Sequence, residues 1–112
     1  MVDEGAAIVG VNCEQEPDRI LAITREMRMA VSVPIAAQPA AFRTTDATPC
    51  FTRLPQFPDE LEAIQLPRSA FESFAEKAKA EGIQFLGGCC GCNAAYIHAF
   101  ARGLETSNSR AA

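Results

Sequence analysis

Three of the five cysteines in this chain, Cys13, Cys89 and Cys90, are spaced for chemistry. Cys13 closes the stretch "GVNC" at residues 10–13, and Cys89 and Cys90 stand side by side in "GGCCG" at 87–91. Neighbouring side chains on a regular strand point to opposite faces, so two adjacent thiols can serve one centre only where the strand has ended. Gly87, Gly88 and Gly91 permit that departure, because glycine adopts backbone angles closed to other residues. Both cysteine stretches end apolar runs, and in a parallel α/β sheet the carboxyl ends of the strands share one rim, so thiols distant in sequence can meet there. Three thiolates are three ligands for a tetrahedral Zn²⁺, with Zn–S near about 2.3 Å and the fourth position left for catalysis. Their charge exceeds that of the ion by about one unit, which suits a soft incoming sulfur better than hydroxide. A free thiol has a pKa near about 8.5 and is mostly protonated at neutral pH; coordination removes the proton and leaves a nucleophile.

The elements that must position these sulfurs follow from hydrophobic patterning. Residues 6–13, "AAIVGVNC", read as a strand buried on both faces. Pro17 and Asp18 start a helix whose inward stripe is Ile20, Ile23, Met27 and Ala30. Residues 32–38, "SVPIAAQ", are a second strand. A long connection with five prolines follows over 39–67, of a length that in compact domains is functional or covers something. Ser69 and Glu72 predict a capping box for a second helix with Phe71, Phe74, Ala75 and Ala78 inward and Gly82 as its stop. Residues 83–88, "IQFLGG", are the third strand. Asn93 caps a last helix with Ile97, Phe100, Ala101 and Leu104 inward, and residues 105–112 form a disordered tail. Alternation of strand and helix predicts an α/β fold with parallel strands and right-handed crossovers, although three strands carry helices for only part of the cover a parallel sheet needs.

The bulk numbers narrow the partners. A chain of 112 residues, 48% hydrophobic and 21% charged, is an ordinary globular composition with room for one small domain. A net charge of −4 leaves no basic stripe for phosphates, which excludes nucleic acid and anionic membrane surfaces as expected partners. The longest uncharged run, 29–42, is interrupted by Pro34 and Pro39 and too short to span a bilayer. The opening "MVDEGAAIVG" has acids where a secretory leader needs bases, and an odd number of cysteines, two of them adjacent, is a poor disulfide framework; reduced thiols and a cytoplasmic location are expected.

"GVNC" followed by "GGCCG" resembles the paired zinc-binding signatures of the homocysteine-binding methyltransferases. The segment between them, "AAQPAAFRTTD" and then "FTRLPQFPDELE", is similar to the corresponding loop of the betaine-homocysteine S-methyltransferases and their bacterial relatives; cobalamin-dependent methionine synthases carry a shorter, different loop. The resemblance runs over residues 8–104. It implies a (β/α)₈ TIM barrel of which this chain is the C-terminal portion, about strands six to eight, with 1–104 belonging to the barrel domain; a whole barrel takes about 250 residues. It further implies Cys13, Cys89 and Cys90 as zinc ligands, homocysteine sulfur as the fourth ligand, and methyl transfer to that sulfur from betaine or a related onium donor to give methionine. Residues that grip homocysteine and the donor lie in the earlier strands of that family, so missing strands or a complementary chain are needed, and the isolated chain is expected to be inactive. The extra Cys92 of "CCGC" departs from the family pattern.

Blander readings cover most other reactive residues. Cys50 is an incidental loop thiol, and Gly91 with the helix that follows turns Cys92 away. His98 and Tyr96 fall off the expected stripe and read as solvated helix positions. Asn12 and Gln38, at strand ends, are candidates to hydrogen-bond around the ligands. Glu14 and Glu16 read as helix-start carboxylates favoured by the helix dipole. Two rival functions remain: a non-catalytic zinc-binding module or half of a split barrel enzyme, and a thiol redox protein, disfavoured because "CCGC" is not the usual C-x-x-C.

Overall fold

The structure, a computed structural model, describes residues 1–111, with side chains through Glu105. Its elements alternate: β1 (Val9–Asn12), α1 (Pro17–Ala30), β2 (Ile35–Gln38), α2 (Arg68–Ala80), β3 (Phe85–Leu86) and α3 (Ala94–Ala111). Short 3₁₀ turns lie at Val2–Glu4, Phe51–Arg53 and Leu61–Ile64. Apart from Glu105, the tail expected to be disordered, 105–112, has its side chains outside the described residues.

The α/β expectation holds: the three strands form one parallel sheet in the order β1-β2-β3, with Val9 opposite Ile35, Asn12 opposite Gln38, and Ala37 opposite Leu86. Right-handed crossovers that always step the same way place every connecting helix on one face. That face carries the core: Val9, Ile35 and Ala37 are buried against Ile20, Leu21, Phe71, Phe74 and Phe100. The opposite face is bare. Gly10, Asn12 and Gln38 are exposed, and Ile8 and Phe85 keep 46% and 48% of their surfaces. The expectation of a first strand buried on both faces is therefore corrected, because among the described residues nothing lies over that side.

Helix faces also shift from the expected stripes. In α1 the buried set is Pro17, Ile20, Leu21 and Thr24, while Ala30 is exposed. Thr24 goes inside because its hydroxyl donates to the Leu21 carbonyl at 2.9 Å, which satisfies it within its own helix. Helix α2 buries Phe71, Phe74, Ala75 and Ala78 as expected. It begins at Arg68 behind Pro67 with no side-chain cap, so Ser69 and Glu72 make no capping box. It ends in a Schellman arrangement, with Gly82 N–H donating to Lys79 at 3.0 Å and Ile83 N–H to Ala78 at 3.0 Å.

In α3 the stripe is turned by about one residue. Tyr96, Ala99 and Phe100 are buried, whereas Ile97 is 52% exposed and Ala101 is exposed. Aromatic pairing decides the rotation: Phe71 meets Tyr96 and Phe100 edge-on at 5.1 and 5.3 Å between centroids. The Tyr96 hydroxyl then donates to the Leu66 carbonyl at 2.6 Å, so Tyr96 is a core residue and not a solvated one. His98 is exposed, as expected. Asn93 caps this helix, its Oδ1 accepting from Ala95 N–H at 2.9 Å.

The long connection is ordered around a second small cluster. Ala40, Phe42 and Phe51 are buried together, with Cys13, Leu54, Leu61 and Ile64 packed against them. Phe42 and Phe51 lie 4.8 Å apart.

Candidate metal centre

The main chain just after β2 serves both flanks of the site. Toward β1, Gln38 carbonyl accepts from Cys13 N–H at 2.8 Å and Ala40 N–H donates to Gln15 carbonyl at 3.0 Å. Toward β3, Pro39 carbonyl accepts from Cys89 N–H at 3.0 Å and Ala41 N–H donates to Cys90 carbonyl at 2.9 Å. All three cysteines therefore hang from residues 38–41. Pro39 also explains where β3 stops. Gly87 N–H donates to Ala37 carbonyl and Cys89 N–H to Pro39 carbonyl; the return bond of that ladder would need an N–H at residue 39, which proline lacks. Pairing lapses after Leu86, and Cys89 and Cys90 leave the strand together. Gly91 then turns the chain at φ 84°, where an added Cβ would stand 2.7 Å from the Phe42 ring.

Cys13 is aimed by a strained turn. Both Cys13 and Glu14 have φ 62°, a conformation that costs non-glycine residues on the order of 1–3 kcal/mol each. Gln15 N–H closes the turn on the Cys13 carbonyl at 2.7 Å. Glu16 stands at the start of α1 as its N-cap residue, but neither carboxylate makes a cap bond to the helix: Glu14 Oε2 accepts from the Thr52 hydroxyl at 2.6 Å, and Glu16 Oε2 accepts from the Thr44 N–H and hydroxyl at 2.5 and 2.9 Å. Both tie the long connection to the end of β1. Sequence patterning held no sign of these partners, because they lie 38 and 28 positions away.

The result is a sulfur triangle. The Sγ atoms of Cys13, Cys89 and Cys90 all lie within 4.8 Å of one another, and those of Cys13 and Cys90 are 3.2 Å apart. Cys13 and Cys89 are half-buried and Cys90 is exposed, so the group is open on one side. Two sulfurs on one tetrahedral zinc lie about 3.8 Å apart, so the donor set and its spacing fit a thiophilic divalent ion. Among the described residues no other group of cysteine, histidine or carboxylate ligands converges this way.

Titration of the triangle fits a cation as well. Burial pushes the Cys13 thiol up, but hydrogen bonds from the Cys89 thiol, the Cys90 main chain and the Cys90 thiol outweigh it, so Cys13 ionises below the ordinary thiol range. Burial, then the hydrogen bond and negative charge of Cys13, raise Cys89. Cys90 is pushed up to about 12, first by its hydrogen bond to Cys13, then by burial and by the charges of Cys13 and Cys89. Ionising Cys13 opposes ionisation of the next two. A divalent cation removes that conflict.

The remaining candidates separate clearly. Cys92 packs toward the core, its Sγ 2.6 Å from where a Cβ on Gly88 would stand, and is outside the triangle; burial raises its thiol. Cys50 is half-buried in the connection and also apart. Asn12 and Gln38 are exposed on the bare face at the same end of the sheet. Among the described residues their side chains make no hydrogen bond to the cysteines. No helix among the described residues is long and apolar enough to cross a membrane.

Residues 1–104 match the family profile of homocysteine S-methyltransferase. The chain is 37% identical to betaine–homocysteine S-methyltransferase 1 of Danio rerio over 112 aligned positions, covering 94% of this chain and 28% of that protein. It is 34% identical to the S-methylmethionine–homocysteine S-methyltransferase of Pongo abelii over 110, covering 93% and 30%. The Mus musculus betaine–homocysteine enzyme is 34% identical over 110 positions, with 93% and 27% covered. The chain thus spans less than a third of the length of these curated relatives. On the match over residues 1–104, this chain belongs to the homocysteine S-methyltransferase family.

Proposed function

We propose that this chain is the metal-bearing C-terminal portion, about strands six to eight, of a (β/α)₈ homocysteine S-methyltransferase acting in the cytoplasm. Cys13, Cys89 and Cys90 would hold zinc as thiolates, and the open side of the triangle would admit the sulfur of homocysteine. When bound, zinc supplies a Lewis acid that lets a substrate thiol lose its proton at neutral pH. The substrate sulfur attacks a methyl carbon of betaine or a related onium donor. The S–C bond forms as the N–C or S–C bond of the donor breaks, the donor heteroatom keeps the electron pair, and the products are methionine and a neutral amine or sulfide. Asn12 and Gln38, exposed on the bare face at the same end of the sheet, are the groups that would hydrogen-bond around the site once metal and substrate are bound.

The observation that carries this reading is the meeting of three sulfurs from two distant segments within 4.8 Å. The bare sheet face gives weight to a second reading, a zinc-binding half of a split barrel that works only with a chain supplying the other strands. Binding without a donor pocket gives no oriented transfer. Purified alone, the chain is expected to hold about one zinc, to lose it on Cys13→Ser, and to make no methionine from betaine and homocysteine. Co-expression with the missing strands is expected to restore methionine formation. A chain that purifies without zinc and takes none up would overturn both readings; methionine formation by the chain alone would overturn the need for further strands.

A further inference from the structure

Cys13 stays at positive φ only because something else holds it there, since a strained conformation persists where its surroundings impose it. The hold comes from two consecutive residues of the long connection. Phe51 N–H donates to the Glu14 carbonyl at 2.9 Å, and the Thr52 hydroxyl donates to Glu14 Oε2 at 2.6 Å. The main-chain carbonyl and one carboxylate oxygen of Glu14 are thereby taken by one short turn, Phe51–Arg53. Phe51 belongs to the small apolar cluster against which Cys13 packs, so the same turn supports the cysteine from beneath.

We propose that Glu14 and Thr52 are positioning residues for Cys13: their carboxylate–hydroxyl bond clamps the strained turn so that the Cys13 sulfur faces Cys89 and Cys90 before metal arrives. This inference rests on the metal-site reading above. Glu14 follows Cys13 directly, and the Cys13–Glu14 peptide cannot rotate toward ordinary negative φ without pulling its neighbouring carbonyl off Phe51. The side-chain bond adds a second point of attachment. Glu14 and Thr52 are both half-buried, which limits competition from water. Without the clamp, the turn relaxes in the metal-free chain and the ordering has to occur on binding, which lowers affinity without abolishing it.

The test uses the whole chain and cobalt(II) as a spectroscopic probe, followed by zinc competition. Variants are Thr52→Val, which keeps shape and removes the hydroxyl; Thr52→Ser, which restores it; Glu14→Ala; and Glu14→Gln, which keeps an acceptor. Thr52→Val and Glu14→Ala are expected to weaken zinc binding about tenfold, while Thr52→Ser and Glu14→Gln stay within about threefold of the original. The unfolding midpoint of the metal-free chain should move little, because lost bonding is offset by released strain. If Thr52→Val does not fold, Glu14→Ala against Glu14→Gln carries the same comparison. Unchanged zinc affinity in both deletion variants, or a lowered midpoint with unchanged affinity, overturns the inference while leaving the metal site intact. Failure of the unaltered chain to bind cobalt or zinc overturns the metal-site reading itself.

Discussion

The sulfurs of Cys13 and Cys90 stand 3.2 Å apart although 77 positions separate them in the chain. Contact over that distance needs β1 and β3 on either side of β2 with their carboxyl ends on one edge, and two departures from regular strand geometry, one at Cys13 and one after Leu86. Replacing Cys13 by serine should therefore remove the most readily ionised ligand and leave two thiols on a single loop. Zinc affinity is expected to fall at least ~100-fold, measured by chelator competition, with the far-ultraviolet dichroism unchanged.

The pH dependence follows from the raised thiols. Metal takes the deprotonated form, and Cys89 and Cys90 are protonated near neutrality, Cys90 with its pKa pushed up to about 12. Protons compete more strongly as pH falls, so binding weakens on acidification. With at least the protons of Cys89 and Cys90 released per ion, apparent affinity should drop at least about 100-fold per pH unit. Calorimetry in buffers of different ionisation enthalpy counts those protons directly; release close to zero would contradict the assignment of Cys89 and Cys90 as ligands.

Cys92 lies two positions from a proposed ligand and yet packs toward the core. Cys92→Ala should leave about one zinc per chain by elemental analysis, as should Cys50→Ser. Loss of metal in Cys92→Ala with the fold retained would mean that a different set of sulfurs is in use.

Tyr96 offers a stability test independent of metal. Its buried hydroxyl donates to the Leu66 carbonyl at 2.6 Å, joining α3 to the end of the long connection. Tyr96→Phe keeps the edge-on stacking on Phe71 and leaves that carbonyl without its donor. A loss of about 1–2 kcal/mol is expected in denaturant unfolding.

Sequence patterning reached the α/β alternation, the parallel strands, the inward residues of α2 and the cap at Asn93, because each depends on local spacing or a single side chain. The cysteine trio was legible for a related reason: strand ends share a rim whatever the distance between them in sequence. What escaped was set by tertiary partners. The rotation of α3 depends on Phe71 stacking on Tyr96, and the roles of Glu14 and Glu16 on a connection whose path no period announces. The strands are also shorter than the apolar runs that suggested them, β3 most of all, since it pairs on one side only and meets Pro39 where its ladder would continue.

Because residues 38–41 bond outward to both cysteine segments, the backbone separation of the two thiol banks is gauged by one length of chain, while the turn at Phe51–Arg53 bears only on how Cys13 is aimed. Lengthening or shortening the connection beyond Phe42 leaves that gauge untouched. Adding a single residue between Gln38 and Ala41 would slide one thiol bank past the other by a full peptide step, and no side-chain rotamer could bring them back into line.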